Sequence, residues 1–271
     1  MKLGVSTFVT DESMLPGPLA LAVEERGFDA LFLAEHSHIP VSRETPYPVG
    51  GELPRPYFRA ADPFVALAAA AAVTSTLRLG TGVSLLIQRD VIHTAKSVAS
   101  LDLVSDGRVL YAVSVGWNRE EMRNHGTDPR TRGALLDERI EALRTIWTHD
   151  EASFSGKHVR FDPIFQWPKP VRVPPVYLGG NSHVAADRAR RLGDGWLPNA
   201  VRDPVQVRAQ LALLGGADLP VTATSAPADE RLLAAYAEAG AERVTLSLPP
   251  GSEADTLRRL DRLTTLVPAY R

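Results

Sequence analysis

A (β/α)8 TIM barrel with inserted loops is the fold this sequence predicts, and three observations carry that expectation. Strand-like and helix-like segments alternate eight times along the chain. They do so within 271 residues, a length that suits one barrel better than two small α/β units. The residues best suited to chemistry fall just after strands, at Glu35-His36, Gly82-Val83, Gly116-Trp117 and Gly179-Gly180-Asn181-Ser182. Barrels of this kind gather their sites at the carboxyl ends of the strands.

The elements follow in order. Leu3 to Thr7 reads as a first strand, and Leu15 to Arg26 as a first helix with Pro16 near its start and Gly27 behind it. Ala30 to Ala34 is a second apolar strand running directly into Glu35-His36-Ser37-His38. Regular structure then stops from Ile39 to Ala61, a stretch rich in proline and aromatic residues that we read as a lid. Asp62-Pro63 supplies a cap and a first-turn proline for the helix Phe64 to Val73. Leu77 to Leu86 is the third strand, Val91 to Leu103 the next helix, and Arg108 to Val115 the fourth strand. Two helical pieces come next; the second places Leu136, Ile140, Leu143 and Trp147 on one face by their i, i+4, i+7, i+11 spacing. Ser153 to Val173 departs from the alternation, with Phe154-Ser155-Gly156-Lys157 suggesting a hairpin. Val176 to Leu178 is the fifth barrel strand, followed by a helix from Val184 to Leu192. Three more pairs close the count: strand Asp194 to Leu197 with helix Pro204 to Leu214, strand Val221 to Thr224 with helix Asp229 to Ala239, and strand Arg243 to Leu248 with a helix from Ser252. The expectation is one domain over residues 1–271, with insertions at about residues 37–61 and 150–173.

Composition narrows the function. Hydrophobic residues make up 44% of the chain, enough for one sizeable core. A net charge of −2 suggests neither nucleic acid nor an anionic membrane as partner. The absence of cysteine excludes disulfides, thiolate metal sites and a cysteine nucleophile. The apolar run Ala66 to Val73 is too short to span a bilayer, and the N-terminus enters a strand rather than a signal peptide. A cytoplasmic protein acting on a small molecule is the expectation.

Two stretches could carry that chemistry. After Val176-Tyr177-Leu178 the chain breaks at Gly179-Gly180, and Asn181-Ser182 offer an N-cap. Such a joint leaves backbone N–H groups and the positive end of a helix aimed outward, which suits a phosphate, though any βα unit has a glycine-rich joint. Glu35-His36-Ser37-His38 offers a histidine tunable near neutral pH beside a carboxylate. A metal reading of His36 and His38 lacks further ligands at later strand ends. A polar pair merely satisfied at a loop entrance is the remaining alternative. Trp117 reads as a pocket wall, and Gly82 as a place where a flat ligand approaches or where barrel crowding is relieved.

Taken together, Glu35-His36, Leu79-Gly80-Thr81-Gly82-Val83, Ala99-Ser100-Leu101-Asp102 with Ser105-Asp106-Gly107-Arg108, Gly116-Trp117, Glu120-Glu121, Pro174-Pro175 with Gly179-Gly180-Asn181-Ser182, and Gly193-Asp194-Gly195-Trp196 resemble the luciferase-like flavin and deazaflavin family. The resemblance runs from near residue 1 to about residue 200 and is closest to the branch using coenzyme F420. It implies a (β/α)8 barrel, a homodimer, and hydride transfer between F420, or alternatively FMN, and a small organic substrate. It implies His36 as the catalytic histidine and Glu35 as the neighbour that orients the ring or the histidine. It places the cofactor against Gly82, Val83, Gly116, Trp117 and Gly179 to Ser182, with a cis peptide between Gly82 and Val83. An FMN-dependent monooxygenase and a non-catalytic flavin-binding protein are the alternatives. One departure stands out: where the luciferase subunit has an arginine that meets the flavin phosphate, this chain has Val115.

Overall fold

The structure, a computed structural model, describes residues 1–270. Eight parallel strands form its sheet: β1 (Lys2–Thr7), β2 (Ala30–Leu33), β3 (Arg78–Thr81), β4 (Val109–Val113), β7 (Val176–Gly179), β8 (Gly195–Leu197), β9 (Thr222–Ala226) and β10 (Arg243–Ser247). Their order is β8-β7-β4-β3-β2-β1-β10-β9, and parallel bridges from Trp196 to Val221 and from Asn199 to Thr224 bring the two ends together. The sheet therefore closes into the expected barrel, and closure leaves no long unpaired edge. The two remaining strands, β5 (Glu151–Ser155) and β6 (Arg160–Phe165), form the antiparallel hairpin anticipated in the 150–173 insertion.

Two packing layers follow from the strand period of two. Ala30, Phe32, Leu110, Ala112, Tyr177 and Leu197 fill the barrel interior, and their neighbours in sequence face the helices. Large and small residues interlock inside. A Cβ on Gly80 would stand 2.4 Å from the Phe32 ring, and one on Gly195 would stand 2.3 Å from Tyr177. Glycine is thus required at both positions by close approach rather than by a turn.

Outside, the helices end where their caps say they should. Asp62 accepts from Phe64 and Val65 N–H at the start of α2 (Pro63–Ala71), Asp229 from Arg231 and Leu232 N–H before α8 (Glu230–Glu238), and Ser252 from Asp255 N–H before α9 (Glu253–Thr264). Leu136, Ile140, Leu143 and Trp147 are all buried on α5 (Arg132–Thr148), as their spacing predicts. The seventh helical segment is shorter than expected, a 3-10 turn at Pro204–Gln206 leading into α7 (Val207–Ala212). No helix among the described residues is long and apolar enough to cross a membrane.

The third strand departs most from expectation. It ends at Thr81 instead of continuing to Leu86, the Gly82–Val83 peptide is cis, and a 3-10 turn covers Leu86–Gln88. Ser84 still bridges to Val113 of β4, and the chain leaves the sheet only at Leu85, whose N–H donates to Glu35 Oε2 at 2.8 Å rather than to a strand carbonyl.

Candidate active site

The rim residues after β2 are set by what their side chains find next to them. Glu35 and His36 are both buried, and they point to different partners. Glu35 accepts from Leu85 N–H and pairs with Arg89, whose guanidinium also reaches Asp62 Oδ2 at 2.6 Å. Burial pushes the Glu35 carboxyl above its ordinary range, while the Arg89 charge and the Leu85 N–H pull against that rise. Glu35 therefore does not orient the histidine; that half of the expectation is corrected.

The carboxylate on His36 belongs to Glu121, which is fully enclosed: His36 Nδ1 lies 2.9 Å from Glu121 Oε2, and Ser37 N–H donates to Oε1 at 3.2 Å. An ionised carboxylate can only accept, so Nδ1 carries the hydrogen. Nε2 has no hydrogen-bond partner among the described residues and is the nitrogen left for the cavity. Glu121 is held in turn by α4 (Arg119–Asn124), whose N-cap Asn118 accepts from Glu121 N–H at 3.1 Å.

A cavity of about 450 Å³ opens beside His36 at the carboxyl ends of the strands. Glu35, Gly82, Val83, Gly116, Trp117, Gly179, Gly180 and Asn181 all contribute to its wall, so the barrel brings together nearly every residue singled out in the sequence. Val83 also packs on the interior layer, placing it where barrel filling ends and the cavity begins. Aromatic rings enclose the histidine: Trp117 stands edge-on to it at 5.8 Å, Tyr57 at 5.2 Å, and Tyr47 touches both of those rings. Tyr47 and Tyr57 come from the proline-rich 39–61 segment, which is tied down by Thr45 N–H donating to Glu120 and by Arg55 pairing with Glu12. Burial and the Tyr47 hydroxyl push the Tyr57 phenol well above its ordinary range, keeping it neutral.

Gly180 stands on the wall between this cavity and a second one of about 580 Å³. There the glycine joint does what its sequence suggests. α6 (His183–Leu192) starts with Ser182 as N-cap, its hydroxyl accepting from Ala185 N–H at 3.2 Å. Gly180 has φ +120°, a backbone open to glycine and strained for other residues. Asn181 does not face a ligand with its amide; both its side-chain polar atoms pair with Asn199 backbone, clamping the ends of β7 and β8 together. The N-terminus of α5 enters the same cavity, together with Arg130, Arg132 and Arg188. Val115 lines it too; of the three arginines, Arg188 pairs with Asp137 at 2.5 Å and Arg130 with Asp128 at 2.7 Å, which leaves Arg132 as the one without a carboxylate partner among the described residues. Two helix N-termini and the unpaired Arg132 guanidinium make a fit for a phosphate.

Sequence reasoning missed Glu121 and these arginines as site residues. Asn118-x-x-Glu121 does carry a signal, the N-cap and N3 positions of a capping box. In that motif the glutamate turns back on its own N-cap, and here it is spent on His36 instead. The arginines carry no local signal. Conversely, Arg108 of Ser105-Asp106-Gly107-Arg108 lies at the opposite, amino-terminal end of the barrel, donating to Ser105, Ala71, Thr74 and Leu77 carbonyls. That motif closes the barrel floor.

Residues 17–218 match the family described as luciferase-like monooxygenase. The chain belongs to that family. An uncharacterised protein of Mycobacterium tuberculosis is 36% identical to this luciferase-like chain over 275 residues, covering 97% of each. An F420-dependent hydroxymycolic acid dehydrogenase of the same species is 32% identical over 158 residues, 57% of this chain and 44% of the relative. An FMNH2-dependent dimethylsulfone monooxygenase of Pseudomonas fluorescens is 34% identical over 108 residues, 39% of this chain and 30% of the relative. Among solved structures, an F420-dependent secondary alcohol dehydrogenase superposes over the full length of both chains with a TM-score of 0.76 at 18% identity. The luciferase-like barrel is thus common to proteins whose names specify F420 or FMN.

Proposed function

We propose that this chain is an F420-dependent oxidoreductase acting on a small organic substrate, with His36 donating or accepting the proton that accompanies hydride transfer. The observation that carries it is the buried His36–Glu121 pair, which leaves Nε2 facing the rim cavity a short way from the phosphate-type cradle. F420 is preferred to FMN because the F420-dependent relative matches a longer stretch of the chain. When bound, the deazaflavin supplies the two-electron hydride chemistry.

The chain's own residues do the rest. Glu121 fixes the imidazole tautomer and stabilises the imidazolium, the part a carboxylate plays beside a working histidine. Trp117, Tyr47 and Tyr57 keep water from the imidazole, so proton exchange is directed to the substrate side. Val83 presents an apolar surface at the cavity floor, suited to the middle of a flat ring. Gly179 to Ser182, with Arg132, would hold the phosphate.

Titration of the purified protein with F420 and with FMN, followed by fluorescence, tests the reading. Micromolar or tighter binding of F420, with FMN weaker, supports it. Preference for FMN would shift it to a monooxygenase, for which the dimethylsulfone enzyme is the relevant relative. Binding with no turnover of any alcohol or carbonyl substrate would leave a flavin-binding protein. A homodimer belongs to the same proposal, and a monomer mass by light scattering at micromolar concentration would refute it.

A further inference from the structure

Across the cavity from His36, the rim carries two polar side chains that the histidine pair and the cradle leave unused. Asn199 follows β8 and Thr224 belongs to β9; a parallel bridge joins them, and both line the cavity of about 450 Å³. Four strands separate β8 from β2 in either direction round the closed barrel, so Asn199 stands opposite His36. Val83 and the cradle lie after β3, β4 and β7, along one arc between those two points. The other arc holds Thr224 and Phe8, whose ring lies 4.7 Å from Tyr57.

The hydrogen bonds around Thr224 leave its proton for the cavity. Thr245 is fully enclosed; its hydroxyl oxygen lies 3.0 Å from that of Thr224 and accepts from Ser225 N–H at 3.1 Å. For its own hydroxyl hydrogen the described residues offer one acceptor, Thr224 Oγ1. A buried donor needs an acceptor, so Thr245 donates and Thr224 accepts. The Thr224 O–H is then left without an acceptor in the protein, on a residue only 4% exposed. Asn199 adds an amide: its backbone pairs with Asn181, while its side chain has no hydrogen-bond partner among the described residues. The backbone at this point is also irregular. Val244 pairs with Ala223 and Leu246 with Ala226, so Thr224 and Ser225 together stand against Thr245 alone. Ser225 takes φ +61° there, a left-handed conformation that strains a residue bearing a Cβ. Such bulges re-aim side chains beside sites, and this one sets Ser225 N–H on the Thr245 hydroxyl, fixing the direction in which that hydroxyl donates.

We infer that Thr224 and Asn199 bind a second oxygen of the substrate, remote from the oxygen that exchanges its proton with His36. The substrate class is then bifunctional: an alcohol or carbonyl compound with a further hydroxyl or carbonyl group beyond a short apolar middle. Phe8 and Tyr57 supply the apolar wall between the two polar ends. This rests on the proposed function for the reaction at the first oxygen. An oxygen on the cofactor ring shares the chemistry of an acceptor and is the other source to be distinguished. Position favours the substrate, because the apolar floor at Val83 and the cradle lie along the opposite arc from Thr224.

The test uses the whole protein loaded with oxidised F420, which has no hydride to give a ketone, so binding is read without turnover. Two probes are titrated by ligand-observed NMR: methyl propyl ketone, and its isostere with a hydroxyl in place of the terminal methyl. Wild type binds the hydroxyketone about 5- to 10-fold more tightly, the span for one net hydrogen bond. Thr224→Val lowers that preference by about threefold or more, and Thr224→Ser, which keeps the hydroxyl, retains it. Thr224→Val also strips Thr245 of its acceptor, so Asn199→Ala on the exposed rim provides a second variant, again with a reduced preference. Equal affinity for the two ketones in wild type, or no binding of either, would overturn the inference while leaving F420 binding intact. A preference unchanged in both variants would overturn it as well. If Thr224→Val weakens F420 itself by more than about tenfold with no ketone present, the hydroxyl serves the ring and the inference falls. If F420 does not bind, the proposed function fails and the inference with it.

Discussion

Gly180→Val is the perturbation whose consequences the structure sets out most fully. At φ +120° a β-branched residue sits outside its allowed backbone region, a cost on the order of 1–3 kcal/mol. The new Cβ would stand 3.0 Å from Ala185 Cβ, so the first turn of α6 must give by a few tenths of an ångström. For a domain of this size each kcal/mol lowers Tm by about 2–4 °C, which places the expected loss between about 2 and 12 °C. Ligand binding suffers more than stability. Gly180 lies on the wall shared by the His36 cavity and the cradle, so added methyl groups occupy the space a phosphate needs and move the amides that would bond it. Losing two charge-assisted hydrogen bonds costs about 3 kcal/mol or more, a rise in Kd of about 100-fold or greater. The assay is fluorescence titration with F420 and FMN, paired with thermal unfolding to confirm that the variant is folded. Ser182→Ala is the control: its hydroxyl already serves Ala185 N–H, so the change costs about 1 kcal/mol of helix stability and less than about fivefold in affinity. If Gly180→Val binds cofactor within threefold of wild type, the phosphate lies elsewhere.

Three further outcomes follow from the site and the barrel floor. His36→Asn keeps cofactor affinity within a few-fold while turnover falls by roughly 10²–10⁴, the span for a lost acid–base group; unchanged turnover with an accepted substrate refutes proton transfer by His36. Glu121→Gln leaves one carbonyl oxygen for two donors, His36 Nδ1–H and Ser37 N–H, and the loss of a charge-assisted bond lowers turnover by about 10- to 150-fold. Turnover within twofold of wild type in that variant would show that the histidine orients itself. Arg108→Ala removes five hydrogen bonds at the amino-terminal end of the barrel and lowers stability by about 3–5 kcal/mol in urea unfolding, with cofactor affinity retained; a loss below 1 kcal/mol would mean water replaces the guanidinium.

The chain's own order of residues determined the alternation of strands and helices, because local patterns fix both. Apolar runs such as Ala30 to Leu33, caps such as Asp62, Asp229 and Ser252, and the spacing from Leu136 to Trp147 act within a few residues of themselves. Placement of Glu35-His36, Gly82-Val83, Gly116-Trp117 and Gly179 to Ser182 at one end of the barrel follows from the same alternation, since every parallel strand ends on the same rim. What required the tertiary structure is the pairing of side chains across that rim. Glu35 is next to His36 in sequence and turns away from it, because successive residues leaving a strand face opposite ways and Leu85 N–H and Arg89 wait on the far side. Glu121 stands 85 residues from His36 and reaches it, because α4 is set down over the same rim. Arg130, Arg132 and Arg188 look like ordinary surface charge in the sequence, and they come to line one cavity only when the starts of α5 and α6 are packed side by side. Strand and helix come from neighbours along the chain; a partner for a charge comes from neighbours in space, and folding alone chooses them.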